Sequence, residues 1–355
     1  MCGLLGYIGS SKDRKKTEAI ITSLFKHTQV RGMDASGFYC SSEFDNKKIF
    51  YHKQIGNSSD LISNDVYKRI WNQTTNLGLF HCRAASIGVG LPSINKNNHP
   101  FVSKSLKKAI IHNGLISRGE YNLLKNYYDT ETDCDSEIVL RILEQDDKSI
   151  LENIGDFLSF TENSQFAVAY AECHAKARKL FLFRNQHRPL YYADFRNNLG
   201  QIIFFSTLEI LFSALDDAKE LGVHLLPSKI VEMSPLNIYE FQYDEGHEIL
   251  QTTYQAKKIS NDNSLYNKYK IKECDQKEFY EDKIDSLDCN MESDLFVKLV
   301  TLYQQVKICE EKIKKSLNYK MMNKKQYKFT NESINKIILE YNYIIDILEG
   351  KNHEF

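Results

Sequence analysis

A cysteine directly follows the first methionine, and the sequence first suggests chemistry at this position. If Met1 is removed, as is usual before a small residue, Cys2 carries a thiol and a free α-amine on one residue. The α-amine has an unperturbed pKa of about 7.7–8.0, so near neutral pH it can take a proton from that thiol. The resulting thiolate is a nucleophile. A buried cysteine at the start of a strand is the alternative, and Cys2 alone does not decide between them.

Six short segments stand in order along the N-terminal half of the chain: MCGLLGYIG, RGMDASG, HCRAASIG, NNHP, HNGLI and TETDCDSEI. Together they resemble the class II glutamine amidotransferases, the N-terminal-nucleophile family. Its glutaminase domain occurs in glucosamine-6-phosphate synthase, amidophosphoribosyltransferase and asparagine synthetase. The resemblance extends over about residues 1–250. It implies a four-layer αββα fold and the transfer of ammonia from glutamine to an acceptor.

The hydrolysis of an amide through a thioester passes through a tetrahedral intermediate, whose oxyanion needs hydrogen-bond donors. The side-chain NH2 of Asn113 and the backbone N–H of Gly114 are candidates, because this pair follows a strand-like segment. The resemblance implies the same role for them. An ordinary hairpin turn is the alternative, since Asn-Gly favours such turns.

A free amino acid presents a carboxylate and an ammonium, so its site should offer one cation and one anion. Arg83, at the end of NLGLFHCR, resembles the family's arginine that grips the α-carboxylate with a planar guanidinium. Asp133, in TETD, resembles the aspartate that binds the α-ammonium. The alternatives are a surface salt bridge for Arg83 and helix N-capping for Asp133, since a helix is predicted to start near Asp135.

Four further residues match positions near the substrate in the family. Arg31 and Asp34, in RGMDASG, are expected to organise the wall around Cys2 through backbone hydrogen bonds. Ser86 stands where the family usually has a threonine near the substrate. His99 matches the histidine of a His-Pro loop, and a plain loop residue before proline is the alternative.

Ala84 marks a departure from the family pattern, because a large aromatic residue commonly follows the arginine there. In the synthases, that aromatic side chain helps to gate the passage of ammonia. The alanine leaves glutamine binding intact in principle and puts the gating of a channel in doubt.

The chain has 355 residues, with 46 Lys and Arg against 47 Asp and Glu. Because these charges nearly cancel, no global field favours nucleic acid or an anionic membrane. The eight cysteines form no C-x-x-C pair, which argues against structural zinc and a disulfide scaffold. No segment approaches the roughly 18 apolar residues of a membrane span. We therefore expect a cytoplasmic protein with no metal and no cofactor.

Hydrophobic periodicity predicts the elements that must position these residues. Strands are predicted at 2–9, 37–42, 47–53, 76–83 and 107–112, in the block 164–205, and near 229–233 and 237–242; helices are predicted at 15–28, 118–127, 136–145, 148–158 and 207–222. Two batches of strands with helices outside them indicate an α+β protein with two packed sheets. This pattern agrees with the αββα N-terminal-nucleophile hydrolase fold that the resemblance implies.

Composition changes after about residue 255, which places a glutaminase domain at 1–255 and an extension at 256–355. Within the extension, 256–285 is a plausible polar linker, and helices with apolar stripes are predicted at 292–316 and 331–349. Because such stripes need a partner, we predict a small α-helical module that docks a separate synthase or a second copy of the chain. The lysine-rich segment 312–328 could contact nucleic acid, but a solvated connection is the favoured interpretation.

Three functions remain open from the sequence. The first is a glutaminase subunit that hydrolyses L-glutamine and passes ammonia to a separate acceptor enzyme, because no phosphate-cradling loop is present. The second is an N-terminal-nucleophile hydrolase of another amide or γ-glutamyl compound. The third is a non-catalytic glutamine-binding scaffold, against which the presence of Cys2, Asn113 and Gly114 argues.

Overall fold

The computed structural model describes residues 1–42, 48–72, 74–85, 90–235, 237–255 and 270–271. The chain divides into two compact units, Met1–Glu273 and Cys274–Phe355, and the second lies outside the described residues. The two predicted tail helices, the segment 312–328 and all of the predicted linker except residues 270–271 therefore lie outside them as well. All described elements belong to the first unit.

Within its described residues the first unit contains fourteen strands and seven α-helices. The strands are β1 Gly3–Ile8, β2 Ala35–Ser42, β3 Ile49–Ile55, β4 Thr75–Arg83, β5 Phe101–Val102, β6 Lys108–Leu115, β7 Gln165–Cys173, β8 Ala177–Arg184, β9 Tyr191–Phe195, β10 Gln201–Phe205, β11 Lys229–Glu232, β12 Asn237–Asp244, β13 Ile249–Gln255 and β14 Lys270–Ile271. The helices are α1 Arg14–Thr28, α2 Ser58–Ser63, α3 Asp65–Lys68, α4 Arg118–Leu124, α5 Asp135–Leu143, α6 Ile150–Phe160 and α7 Leu208–Glu220. No described helix is long and apolar enough to cross a membrane.

The strands form two seven-stranded sheets. The first has the order β11-β9-β10-β1-β4-β2-β3, and the second has the order β14-β13-β12-β8-β7-β6-β5. Strand β1 is central in the first sheet, where Leu5 lies opposite Phe205 of β10 and Phe80 of β4. In the second sheet β6 lies between β5 and β7. The strand that follows Cys2 is therefore held on both sides.

The two sheets pack face to face through a buried apolar layer. Because side chains alternate along a strand, Leu4 of β1 points into this layer while Leu5 points to the opposite face. The second sheet contributes the small side chains of Ala167, Ala169 and Ala171 from β7. Interdigitation of the two inner faces makes this layer the central core.

Helices cover the outer face of each sheet. Ile21 and Leu24 of α1 pack with Leu211 of α7 in the core of the first sheet's outer face. On the second sheet, Ile138 of α5 and Phe157 of α6 occupy the corresponding layer. The order of layers is thus helix, sheet, sheet and helix, which confirms the predicted four-layer αββα fold.

Strand β6 extends further than the sequence indicated. It continues through Asn113 and Gly114, which lie opposite Ala167 and Phe166 of β7. The hairpin-turn alternative for this pair is therefore wrong, because the neighbouring strand holds both residues in an extended ladder. An Asn-Gly hairpin turn of type I′ needs positive φ at both residues, and neither Asn113 nor Gly114 has a positive φ.

The ends of β1, β4 and β6 meet at one edge of the stacked sheets. Gly3 lies opposite Cys82, so Cys2 lies beside the end of β4, which is Arg83. The ring nitrogen Nε2 of His81 donates to the carbonyl oxygen of His112 at 3.0 Å, which joins β4 to β6 just before Asn113. This edge gathers the nucleophile candidate, the arginine and the Asn-Gly pair.

Candidate active site

Cys2 lies immediately before the central strand β1, half-buried. Its thiol donates to the carbonyl oxygen of Ala84 at 3.5 Å. Burial is the main cause that raises the pKa of the Cys2 thiol; the Arg83 guanidinium acts to lower it, and the Asp135 carboxylate adds to the rise. A thiol with a raised pKa needs a nearby base before it can act as a nucleophile.

The turn after α1 is tied to Cys2 and to the segment after β4. Arg31 Nε donates to the carbonyl oxygen of Cys2 at 2.8 Å. The carboxylate of Asp34 accepts from the backbone N–H of Ala85 at 2.7 Å. Gly32 lies between them, and an added Cβ there would sit 2.3 Å from the backbone of Arg83 and Ala84. These side-chain-to-main-chain hydrogen bonds tie the turn after α1 to Cys2 and to the segment after β4.

Asn113 carries a buried donor. The residue is 1% exposed, and its Nδ2 has no hydrogen-bond partner among the residues that the structure describes. A buried, unpaired amide costs about 1–3 kcal/mol, and such groups call for a functional explanation. At Gly114, an added Cβ would lie 1.9 Å from the carbonyl oxygen of Gln165. The pair therefore combines an available donor with a backbone that admits no side chain.

Arg83 is buried at the end of β4, with 4% of its surface exposed. Its Nη1 donates to Asn98 Oδ1 at 2.5 Å, and its Nη2 donates to the carbonyl oxygen of Gly90 at 2.6 Å. The surface salt-bridge alternative for Arg83 is therefore wrong. A guanidinium held from two sides keeps a fixed orientation, which suits recognition of a carboxylate.

Asp133 lies before α5 and is exposed. Its backbone N–H donates to Asn97 Oδ1 at 3.4 Å. The N-cap of α5 is Cys134, so the N-capping alternative for Asp133 is wrong. Asp135, two residues further on, is 5% exposed, accepts from the backbone N–H of Ile116 at 2.9 Å, and acts electrostatically on Cys2.

Asp135 is thus a buried acid, close enough to Cys2 to act on it electrostatically, that sequence reasoning missed. The signal was present, because Asp135 stands in the same segment, TETDCDSEI, as Asp133. Asn98, within NNHP, is a second missed residue, since it contacts Arg83. Both residues lie in segments that the sequence singled out, TETDCDSEI and NNHP. The spacing of these segments did not indicate which side chain within them contacts the site.

His99 is buried between two aromatic rings, with 3% of its surface exposed. Its ring stacks on His81 at 4.0 Å and lies edge-on to Phe101 at 4.9 Å between centroids. Burial lowers the pKa of His99 well below its usual value, so its ring is neutral. His99 is therefore packed between buried rings, unlike a plain loop residue before a proline. Ser86 lies outside the described residues.

Comparison with known proteins shows what this chain is similar to. Residues 83–213 match the family model described as "Glutamine amidotransferase domain". The isomerizing glutamine–fructose-6-phosphate aminotransferase of Sulfolobus acidocaldarius is 29% identical over 191 residues, which are 52% of this chain and 30% of that protein. The Listeria monocytogenes protein of the same name is 26% identical over 287 residues, or 78% of this chain and 43% of that protein. The chain thus spans less than half the length of these curated relatives.

Among solved structures, the glutamine phosphoribosylpyrophosphate amidotransferase from B. subtilis, complexed with ADP and GMP, aligns with a TM-score of 0.49. Sequence identity is 17%, and the alignment covers 73% of this chain and 50% of that one.

The described residues define a fold class: a four-layer αββα fold of the N-terminal-nucleophile hydrolase type, with Cys2 beside a central strand. The family match and the curated relatives narrow this class. Residues 83–213 thus match a glutamine amidotransferase domain, and together with the curated relatives this match supports a class II glutamine amidotransferase.

Proposed function

We propose that this domain hydrolyses the side-chain amide of L-glutamine, with Cys2 as the nucleophile and its α-amine, freed by loss of Met1, as the base. The observation that carries this proposal is the buried Nδ2 of Asn113, which has no partner among the described residues. A donor held without a partner at the edge that Cys2 occupies suits an oxyanion that exists only during the reaction.

In the proposed reaction, the α-amine of Cys2 takes the thiol proton and the thiolate attacks the amide carbon of glutamine. Asn113 Nδ2 and the Gly114 N–H donate to the oxyanion of the tetrahedral intermediate. The intermediate collapses as the α-ammonium returns its proton to the leaving nitrogen, which departs as ammonia. Water, activated by the same amine, then hydrolyses the γ-glutamyl thioester to glutamate and regenerates the thiol.

For substrate binding, we propose that Arg83 pairs with the α-carboxylate. Asp135 is the better candidate for the α-ammonium than Asp133, since it is buried and acts on Cys2 electrostatically, whereas Asp133 is exposed. His99 would support this site by packing, and Arg31 and Asp34 would hold its walls.

We further propose that the released ammonia is used by an acceptor enzyme or domain. The curated relatives are named as glutamine–fructose-6-phosphate aminotransferases, and each is more than twice as long as its matched part. Residues 256–355 are the proposed docking module for a separate synthase or for a second copy of the chain. Light scattering of the full-length chain and of a chain ending at 255 tests this module, because the shortened form should lose its partner or its oligomeric state and keep glutamine hydrolysis. Loss of hydrolysis in a folded shortened chain would place the tail in the active site.

The test of the hydrolase compares three forms of the full chain: mature protein, Cys2→Ala, and protein with an N-terminal tag that blocks the amine. Mass spectrometry first establishes which residue is at the N-terminus. Glutamate release should occur only in the mature form, and normal turnover with the amine blocked contradicts the proposed base. Turnover of γ-glutamyl compounds faster than glutamine would favour the alternative hydrolase. Glutamine binding without turnover in the mature form would favour the scaffold.

A further inference from the structure

Lys53 of strand β3 binds a cluster of main-chain carbonyl groups near the site. Its Nζ donates to the carbonyl oxygens of Asn98 at 2.7 Å, Lys96 at 3.0 Å and Pro100 at 3.3 Å. The same ammonium lies 4.8 Å from the ring centroid of Phe101. A lysine ammonium has three donors and no acceptor, so each N–H has a carbonyl oxygen. One cation thus gathers three oxygens whose dipoles repel one another.

Asn98, whose carbonyl oxygen lies closest to Lys53 Nζ among the three, also accepts a hydrogen bond from Arg83 through its side chain. Asn98 is completely buried. Its Oδ1 accepts from Arg83, while its Nδ2 donates to the carbonyl oxygen of Pro92 at 2.9 Å and to Asn95 Oδ1 at 3.2 Å. Asn95 in turn donates to the carbonyl oxygen of Lys53 at 2.7 Å. Lys53 and Arg83 are therefore connected through Asn98.

The neighbouring asparagine connects the same segment to the start of α5. Asn97 is completely buried, donates to the carbonyl oxygen of Leu91 at 3.1 Å, and accepts from the backbone N–H of Asp133. The segment 95–98 therefore touches both parts of the chain that are proposed to bind the charged ends of glutamine. Displacement of this segment would move both binding groups together.

We propose that Lys53 is a positioning residue for glutamine binding, which fixes the segment 95–98 so that Arg83 keeps the orientation needed for the α-carboxylate. This inference rests on the proposed function. Lys53 acts through Asn98 and belongs to β3, outside the edge that gathers Cys2, Arg83 and Asn113. A compact ammonium suits three converging oxygens, whereas the planar fork of arginine does not. Partial burial lowers the pKa of Lys53 to about 8, as expected for a cation withdrawn from water.

Lys53→Met removes the ammonium and keeps most of the apolar stem. We expect the KM for glutamine to rise roughly 10-fold to 100-fold, since a small misplacement of a binding group has effects of this order. The kcat should stay within about twofold, because Asn113 and Gly114 are held by β7 and not by the segment 95–98. Lys53→Arg, which keeps the charge in an unsuitable geometry, should give an intermediate KM.

Lys104→Met is the matched control, because Lys104 is a nearby lysine with 87% of its side chain exposed, paired only loosely with Glu131 at 3.8 Å. It should leave KM unchanged. An equal rise of KM in this control would show that charge alone matters and would overturn the proposal. An unchanged KM in Lys53→Met, or a fall of kcat with KM unchanged, would also overturn it.

Calorimetric titration of L-glutamine into the full chain carrying Cys2→Ala, with and without Lys53→Arg, separates this inference from the proposed function. If mature wild-type protein does not turn over glutamine, the proposed hydrolysis fails, while the two Kd values still test Lys53. A weaker Kd with Lys53→Arg supports the positioning role. Equal values contradict it, and the arginine variant also serves if Lys53→Met does not fold.

Discussion

Replacement of Asn113 by alanine removes the one side-chain donor proposed for the oxyanion. The side chain is 1% exposed and its Nδ2 has no partner among the described residues. We therefore expect the variant to lose transition-state stabilisation while the ground state of the protein changes little. Loss of one oxyanion donor lowers kcat roughly 10²–10³-fold, equivalent to about 2.7–4 kcal/mol.

In contrast to the large fall in kcat, the free energy of unfolding should change little in Asn113→Ala. Removal of an unpaired amide relieves a desolvation penalty of about 1–3 kcal/mol, which offsets the packing lost with the side chain. Asn98→Ala is the comparison, since Asn98 is as deeply buried but pairs with Arg83, Pro92 and Asn95. Its removal leaves buried partners unpaired and should lower the free energy of unfolding by at least about 1–3 kcal/mol.

Steady-state glutamate release gives kcat and KM for each variant, and urea denaturation gives the free energy of unfolding. Asn113→Ala should fall in kcat and remain stable, whereas Asn98→Ala should lose stability and rise in KM. A kcat near the wild-type value in Asn113→Ala would refute the oxyanion role. Unfolding of that variant would show instead that the amide has a structural partner.

The two charged ends of glutamine and the half-buried Lys53 each lead to a separate prediction. Arg83→Lys keeps the charge but loses the planar fork, so the KM for glutamine should rise about 10-fold or more in steady-state kinetics. Asp135→Asn should weaken apparent glutamine binding by about 2–5 kcal/mol, whereas Asp133→Asn should change it little; the reverse result would return the ammonium contact to Asp133. Because burial lowers the pKa of Lys53 to about 8, deprotonation above that pH should raise KM. Lys53→Arg should remove this alkaline rise, and a persistent rise would assign it to another group.

Much of the layer architecture could be predicted from the sequence, because it depends on local periodicity. The helix predicted at 207–222 is α7, Leu208–Glu220, and the strand predicted at 76–83 is β4, Thr75–Arg83. The helices α2 and α3 escaped prediction, since they are six and four residues long and are defined by asparagine caps. Such short helices carry too few apolar positions for a periodic signal.

The candidate site residues fall into two groups in the same way: those that a short local motif indicates, and those that depend on the folded structure. Cys2, Arg83 and the Asn-Gly pair follow from short motifs, and all of them lie at one edge of the sheets. The proposed preference for Asp135 over Asp133 did not follow, because it depends on where α5 begins and on which of the two side chains is buried. The role of Lys53 was equally invisible, since its partners are main-chain oxygens, and main-chain oxygens are present at every position of every sequence.

The central place of β1 in its sheet has a consequence for the order of events during synthesis. Leu5 pairs with Phe205, so the strand beside Cys2 is enclosed on that side only after about two hundred further residues have been made. At roughly 5–20 residues per second, translation of that length takes on the order of 10–40 s. During this interval β1 lacks its β10 partner. The long-range pairing of β1 thus leaves an interval in which the proposed removal of Met1 can precede closure of the sheet beside Cys2.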